Sequence, residues 1–400
     1  MKKIICINIA IFMVFLSINV FANIDGLPVW SENVNQCSIP TAASSMDINA
    51  KAAILMEANT GKILYEQNCD EKLRPASVTK VMTILLIFES LESGNISLTD
   101  IVPCSEKAMS MGGSQIWLEP KDNLTVDDML KAICVVSAND CCVAMAEYIA
   151  GSTESFVTMM NQKAKSLGMT NTNFLNCHGL DEDGHLTSAK DIAIMSRELI
   201  TKYPQVSKYS TIWMDSLRGG KSELVNTNKL VRTYNGITGL KTGSTSLALY
   251  NLSATATRDN LSLIAVVMGA PTPKDRFDGA QRLLDMGFAT YENKELCKEH
   301  VVVKNIKLEK GKVDNVDVVT NNSLSILLKK AENKNVTTKE IIEESIVAPI
   351  EKNQKVGEII YYVEDVEIGR VDVVTYYSVE RIGLLDCITK VSDSFYRLCR

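Results

Sequence analysis

Arg74-Pro75-Ala76-Ser77-Val78-Thr79-Lys80 is the stretch on which the reading of this sequence turns. Pro75 and the small residue after it introduce helical character over residues 77–91, which stops before Gly94. At the start of that helix Ser77 and Lys80 are three residues apart and share one face. A serine hydroxyl becomes a nucleophile when a base takes its proton, and a partly desolvated lysine amine is such a base. The helix N-terminus adds N–H groups that suit a developing oxyanion. Ser-x-x-Lys alone arises about once by chance in a chain of this length and average composition. Ser77 on its own also suits a helix N-cap.

Working outward, two further polar groups stand out. Ser137-Ala138-Asn139 interrupts a helix-rich stretch over residues 124–149, which opens on Thr125-Val126-Asp127-Asp128, a cap with an acidic first turn. Exposed at a helix break, Ser137 could relay a proton and Asn139 could hold an amide carbonyl; the other reading is a polar interruption between helices. Lys241-Thr242-Gly243, followed by Ser244-Thr245, leads into a late hairpin. On an edge strand, Lys241 and Thr242 could bind a carboxylate, while Gly243 lets a substrate backbone approach. The alternative is a surface strand with a turn.

The organisation around these groups is that of two folded regions. Residues 52–65 read as a hairpin turning at Asn59-Thr60-Gly61. Helical periodicity recurs over residues 156–167, 188–201 and 277–286, and residues 251–268 alternate as a hairpin around Arg258-Asp259-Asn260. Helices between an early and a late hairpin predict an α+β domain whose sheet is assembled from both ends of the segment. After Cys297 the texture changes to short β-branched runs at 301–303, 316–319, 358–363 and 366–374, the pattern of a small β domain over residues 297–377. Residues 378–400 become helical again, with Ile382, Leu385, Ile388, Val391, Phe395 and Leu398 on one stripe. That helix either lies on a membrane surface or docks on the β domain.

Composition removes several classes of function. Forty-two Lys and Arg against 48 Asp and Glu give a net charge of −6, which is unsuited to nucleic acid as the main partner. Three His (His178, His185, His300) leave little scope for zinc chemistry, and no His-Glu-x-x-His pattern is present. His178 and His185, despite Asp181, Asp183 and Asp191 nearby, read as a structural loop. No Gly-x-Ser-x-Gly elbow supports a Ser-His-Asp triad. Lys2 and Lys3, an apolar run over residues 4–20 and Val20-Phe21-Ala22 read as a signal peptide over residues 1–22, with an uncleaved anchor as the other reading. The protein is therefore expected outside the cytoplasm. Ten cysteines follow that segment without paired spacing, and most read as small buried hydrophobes, with a disulfide framework as the other reading for an exported chain.

Taken together, in this order and spacing, Ser-x-x-Lys, Ser-x-Asn and Lys-Thr-Gly resemble the motifs of the penicillin-recognising serine transferases and hydrolases. The flanks Arg74-Pro75-Ala76, His178-Gly179-Leu180-Asp181, Ser188-Ala189-Lys190-Asp191, Thr238-Gly239 and Gly269-Ala270 are similar to the low-molecular-mass D-alanyl-D-alanine carboxypeptidases, in their exported Gram-positive and sporulation-associated form. The resemblance implies a β-lactamase/transpeptidase-like catalytic domain at residues 45–292, an antiparallel sheet flanked by helices. The small all-β domain and an amphipathic anchor would follow. It implies that Ser77 is acylated by a peptidoglycan stem peptide, with Lys80 as base and Ser137 as proton relay. Asn139, Lys241, Thr242, Gly243 and Ser244 would bind the substrate, and the N–H groups of Ser77 and Ser244 would form the oxyanion hole. It further implies no cofactor and no metal, β-lactam antibiotics as covalent inhibitors, and a place at the outer face of the cytoplasmic membrane or in the wall. Ala138 in place of Asp, and the lack of a Glu-x-x-Leu-Asn loop, set the chain apart from class A β-lactamases. A DD-endopeptidase or a non-catalytic wall scaffold would share the same three motifs.

Overall fold

The alternating segments at both ends of the first region pair into one sheet, as the hairpin reading requires. The computed structural model describes residues 46–331, 335–384 and 386–388. The signal segment and residues 389–400 lie outside the described residues. The helix expected over residues 378–400 does not start at Ser378: Val379 and Arg381 bridge to Ile350 and Gly311, Val379 is buried in the β-domain core, and helix begins at Leu384. Strands β1 (Ala52–Glu57), β2 (Ile63–Gln67), β3 (Ile237–Thr245), β4 (Leu249–Arg258) and β5 (Leu261–Ala270) form an antiparallel sheet in the order β2-β1-β5-β4-β3. β1 is buried along its whole length, so its Ala-Ala-Ile-Leu-Met run shows little polar alternation; both of its faces are covered. The turn between β4 and β5 places Asp259 and Asn260 at φ 46° and 63°, the left-handed pair that a tight hairpin uses.

Helices cover both faces of this sheet. Helix α1 (Lys80–Glu92) is buried on nearly every side, from Val81 to Phe88, and forms the centre of the helical layer. Its first turn corrects the N-cap reading of Ser77: Ala76–Thr79 is a 3-10 turn, and Ser77 sits inside it rather than capping it. The helix-rich stretch after Leu124 is two helices, α2 (Val126–Val135) and α3 (Asn139–Ala150). Thr125 and Asp128 form a reciprocal capping box at the start of α2. Helices α4 (Thr153–Ser166) and α5 (Ala189–Lys202) follow, and Ser196 on α5 bonds Ser253 of β4 at 2.8 Å. Helix α6 (Pro273–Thr290) extends well beyond the periodic core at 277–286, because Thr272 caps it and Pro273 takes its first position.

The β-rich region begins with Tyr291–Cys297, which pairs with Leu324–Lys329. A second sheet runs in the order Val336–Ile342, Lys355–Val363, Val366–Thr375, Asn315–Thr320, Val302–Glu309, Ser345–Val347. Its own core holds Ile306, Leu308, Val316, Val318, Val356, Val371 and Val373. The described cysteines carry no disulfide: Cys69, Cys134, Cys141, Cys142 and Cys177 are buried thiols, as read from the sequence, whereas Cys104 and Cys297 are partly exposed and Cys387 is exposed.

Candidate active site

The three motifs meet where the start of α1, the break between α2 and α3, and edge strand β3 converge. Ala76 enters the first turn at φ 48°, a strained value for a residue with a side chain. Asn251 on β4 holds that turn: its Nδ2 donates to the carbonyls of Arg74 and Pro75 at 2.9 and 3.1 Å, and its Oδ1 accepts from Gly269 N. Lys80 Nζ lies 3.0 Å from Ser77 Oγ, 2.6 Å from Asn139 Oδ1 and 2.6 Å from the His178 carbonyl. The geometry matters because the last two partners accept only. A neutral amine has two N–H bonds and one lone pair, so those two oxygens take the N–H bonds and direct the lone pair toward the Ser77 hydroxyl. Full burial lowers the Lys80 pKa below the usual lysine value and so favours that neutral form.

Ser137 marks the break between α2 and α3 at φ 66°. Its hydroxyl is buried and has no hydrogen-bond partner among the described residues, so the structure brings Ser137 to the site without joining it to Lys80. Asn139 Nδ2 donates to the Gly112 carbonyl at 2.7 Å, and Asn139 N donates to Ser114 O. The loop that carries these carbonyls is pinned by Asp140. Its fully buried carboxylate accepts from Ile116 N and Leu118 N at 3.0 and 3.1 Å, and Arg218 donates to the carbonyls of Ile116 and Trp117.

On β3, Lys241 is buried and Nζ donates to the Thr242 carbonyl. Burial, reinforced by Lys80 when it is protonated, lowers its pKa to about 7, so its proton is held weakly without an anion beside it. Gly243 crosses the nucleophile turn closely: a Cβ there would sit 2.8–2.9 Å from Pro75 O, Ser77 N and Val78 N. Ser244 is exposed beyond it. Behind the strand lies Arg276, which sequence reasoning did not single out. Its guanidinium donates to Gly243 O and lies over the rings of Tyr250 and Phe277, and burial lowers its pKa to about 10. Two buried basic side chains at one strand, with carbonyls for partners, could attract an anion.

The loop through His178 and His185 braces Lys80. Thr83 donates to Cys177 O, and His185 uses both ring nitrogens, accepting from Leu175 N at Nδ1 and bonding Thr79 Oγ1 at 2.8 Å through Nε2. Since Nδ1 accepts, the proton sits on Nε2. Burial, with Lys80 when it is protonated, lowers the His178 pKa to about 3, and burial lowers that of His185 to about 4. Both rings are therefore neutral spacers near neutral pH. Asp140, Asn251 and Arg276 escaped the sequence reading. Asn251 carried no distinguishing signal, because it stands in a strand where Ser253, Thr255 and Thr257 alternate with apolar residues in the same way.

A serine beside a buried lysine, a second serine and amide, and a cationic edge strand, set on this sheet and helical layer, define the penicillin-recognising class of serine enzymes. The chain belongs to the D-alanyl-D-alanine carboxypeptidase family, which matches residues 39–272, and residues 291–381 match the C-terminal domain of penicillin-binding protein 5. It is a serine-type peptidase by that membership. D-alanyl-D-alanine carboxypeptidase DacF of Bacillus subtilis is 47% identical over 321 residues, covering 79% of this chain and 82% of that protein. The crystal structure of penicillin-binding protein 5 from Haemophilus influenzae superposes with a TM-score of 0.67 at 32% identity, over 84% of this chain and 98% of that one. Penicillin-binding protein D2 of Listeria monocytogenes in its cefotaxime-bound form aligns at TM-score 0.56 and 31% identity, over 61% of this chain and 98% of that one.

Proposed function

We propose that this site removes the terminal D-alanine from peptidoglycan stem pentapeptides through an acyl-enzyme. Ser77 Oγ attacks the carbonyl carbon of the penultimate D-Ala as Lys80 takes its proton. The amide C–N bond breaks, and the departing D-alanine amine receives a proton by way of Ser137. Water then cleaves the Ser77 ester and frees the shortened peptide. Asn139 orients the substrate amide, Lys241 and Thr242 hold the terminal carboxylate, and the N–H groups of Ser77 and Ser244 receive the oxyanion. The observation that carries this reading is the pair of carbonyl acceptors that leaves the Lys80 lone pair for Ser77. β-Lactams, which present an acyl group and a carboxylate, would acylate the same serine. The test is D-alanine release from a synthetic peptide ending in D-Ala-D-Ala. Many turnovers per protein molecule are expected. No release from folded protein that penicillin labels would point instead to a cross-link endopeptidase or a binding role.

We further propose that the protein is exported and works at the outer face of the cytoplasmic membrane, held by the C-terminal segment that turns helical at Leu384. Lys2, Lys3 and the apolar run after them support export, and the apolar stripe from Ile382 to Leu398 supports surface attachment. Among the described residues no helix is long and apolar enough to cross a membrane. Protein lacking residues 1–22 should float with anionic liposomes, and further deletion of residues 378–400 should leave it in the soluble fraction. Equal flotation of both forms would sink the anchor.

A further inference from the structure

The carboxylate subsite contains a second hydroxyl that none of the three motifs includes. Thr227 Oγ1 lies 2.7 Å from Thr242 Oγ1. Its backbone N–H donates to Val135 O, two residues before Ser137, so one residue links the β3 edge to the α2–α3 break. Both neighbours are buried amides with their hydrogen bonds committed. Asn226 Nδ2 donates to the carbonyls of Ser210 and Ile212, while its Oδ1 accepts from Asn228 N. Asn228 Nδ2 donates to Gly239 O, and its Oδ1 accepts from Leu230 N. The tripeptide Asn226-Thr227-Asn228 is thus pinned on each side, and the hydroxyl between the two amides is held in a fixed position.

We infer that Thr227 is a positioning residue that turns the Thr242 hydroxyl proton toward the substrate's terminal carboxylate. A hydroxyl has one proton, and within a hydroxyl pair only one partner can donate to the other. When Thr242 donates to Thr227, it shows lone pairs to the incoming anion. When Thr227 donates to Thr242, the Thr242 proton is free for the carboxylate, and the two bonds polarise each other in series. An anion beside Lys241 selects the second arrangement. A fixed Thr227 provides it in advance, where a loose water would have to be ordered. The inference rests on the carboxypeptidase reading, in which Thr242 meets that carboxylate. The carboxylate departs with the released D-alanine, so Thr227 acts on binding and acylation and has nothing to hold during ester hydrolysis.

The test compares wild type, Thr227→Val, Thr227→Ser, Thr242→Val and the Thr227→Val/Thr242→Val double variant on a D-Ala-D-Ala peptide. The benzylpenicillin acylation constant is measured in parallel, since benzylpenicillin carries a carboxylate and its reaction can be read without turnover. Thr227→Val should raise KM and lower the acylation constant by about 3- to 10-fold, the worth of one hydrogen bond, with kcat within about two-fold. Thr227→Ser should stay near wild type. In the Thr242→Val background the added Thr227→Val change should have no further effect, because the hydroxyl it orients is gone. The inference is overturned if Thr227→Val matches wild type, if its effect persists in full without the Thr242 hydroxyl, or if it lowers kcat at unchanged KM. Failure of the carboxypeptidase reading would show separately, as wild-type protein that penicillin acylates but that releases no D-alanine.

Discussion

Ser77→Ala is expected to abolish D-alanine release and covalent penicillin labelling together, and Lys80→Ala to lower the acylation rate by roughly 10³- to 10⁴-fold while leaving Ser77 in place. The difference between the two follows from their roles. Without Ser77 Oγ no ester can form. Without Lys80 the hydroxyl remains, but its proton has no acceptor, since the other groups around Nζ are the Asn139 amide oxygen and the His178 carbonyl. The pH profile separates loss of the base from damage to the fold. Burial lowers the Lys80 pKa, and in the proposed mechanism the neutral amine takes the proton. In wild type kcat/KM should therefore rise as pH climbs through the Lys80 pKa of the free enzyme, and fall as the amine protonates on the acid side. The residual activity of Lys80→Ala should lack that acid limb while far-UV circular dichroism stays unchanged. An acid limb that survives in Lys80→Ala would assign it to another group and remove Lys80 as the base.

What could be read from the sequence was the chemistry carried by side chains in short local patterns. Ser77 with Lys80 and Ser137 with Asn139 each lie within one turn, and Lys241 to Ser244 within one strand, so spacing alone set them together. The supports of the site were hidden for two physical reasons. Gly112 and His178 act through backbone carbonyls, which every residue has and no pattern marks. Asn251, Arg276 and Thr227 act across the fold, and their partners are 176, 33 and 15 residues away, so nothing local announces them. The same division holds for the fold. Hairpins whose apolar runs are separated by turn residues, Asn59-Thr60-Gly61 and Asp259-Asn260, were legible, whereas Val336–Ile342 is exposed along most of its length and presents Thr-Thr-Lys-Glu with no apolar period. Ser345–Val347 is three residues long, too short for any period to register. In α6 the apolar period showed the middle of the helix, and the cap at Thr272 was needed to find its start.

The second large effect is expected from a single methyl group. Gly179 has φ 90°, and a Cβ built there would lie 1.9 Å from Ala76 O and 2.9 Å from Thr79 Oγ1. Neither the backbone of the nucleophile turn nor that of the His178 loop can hold its place against such a contact. Gly179→Ala must therefore push apart the two segments that supply Ser77 and the carbonyl on Lys80. The cost in stability should be about 3–5 kcal/mol, at the upper end for a point substitution, read as a lowered midpoint in denaturant. A displacement on the order of 1 Å at the base should also cost about 10²-fold in kcat/KM. Gly184 supplies the control. It lies in the same loop at φ 92°, but its nearest neighbour is Leu175 Cδ1 at 3.6 Å. Gly184→Ala bears the left-handed strain without the collision, so it should lose about 1–2 kcal/mol and keep most of its activity. If the two alanine variants were equally impaired, backbone strain alone would account for both. The close packing of Gly179 on Ala76 would then have no part in holding the carbonyl of His178 against Lys80.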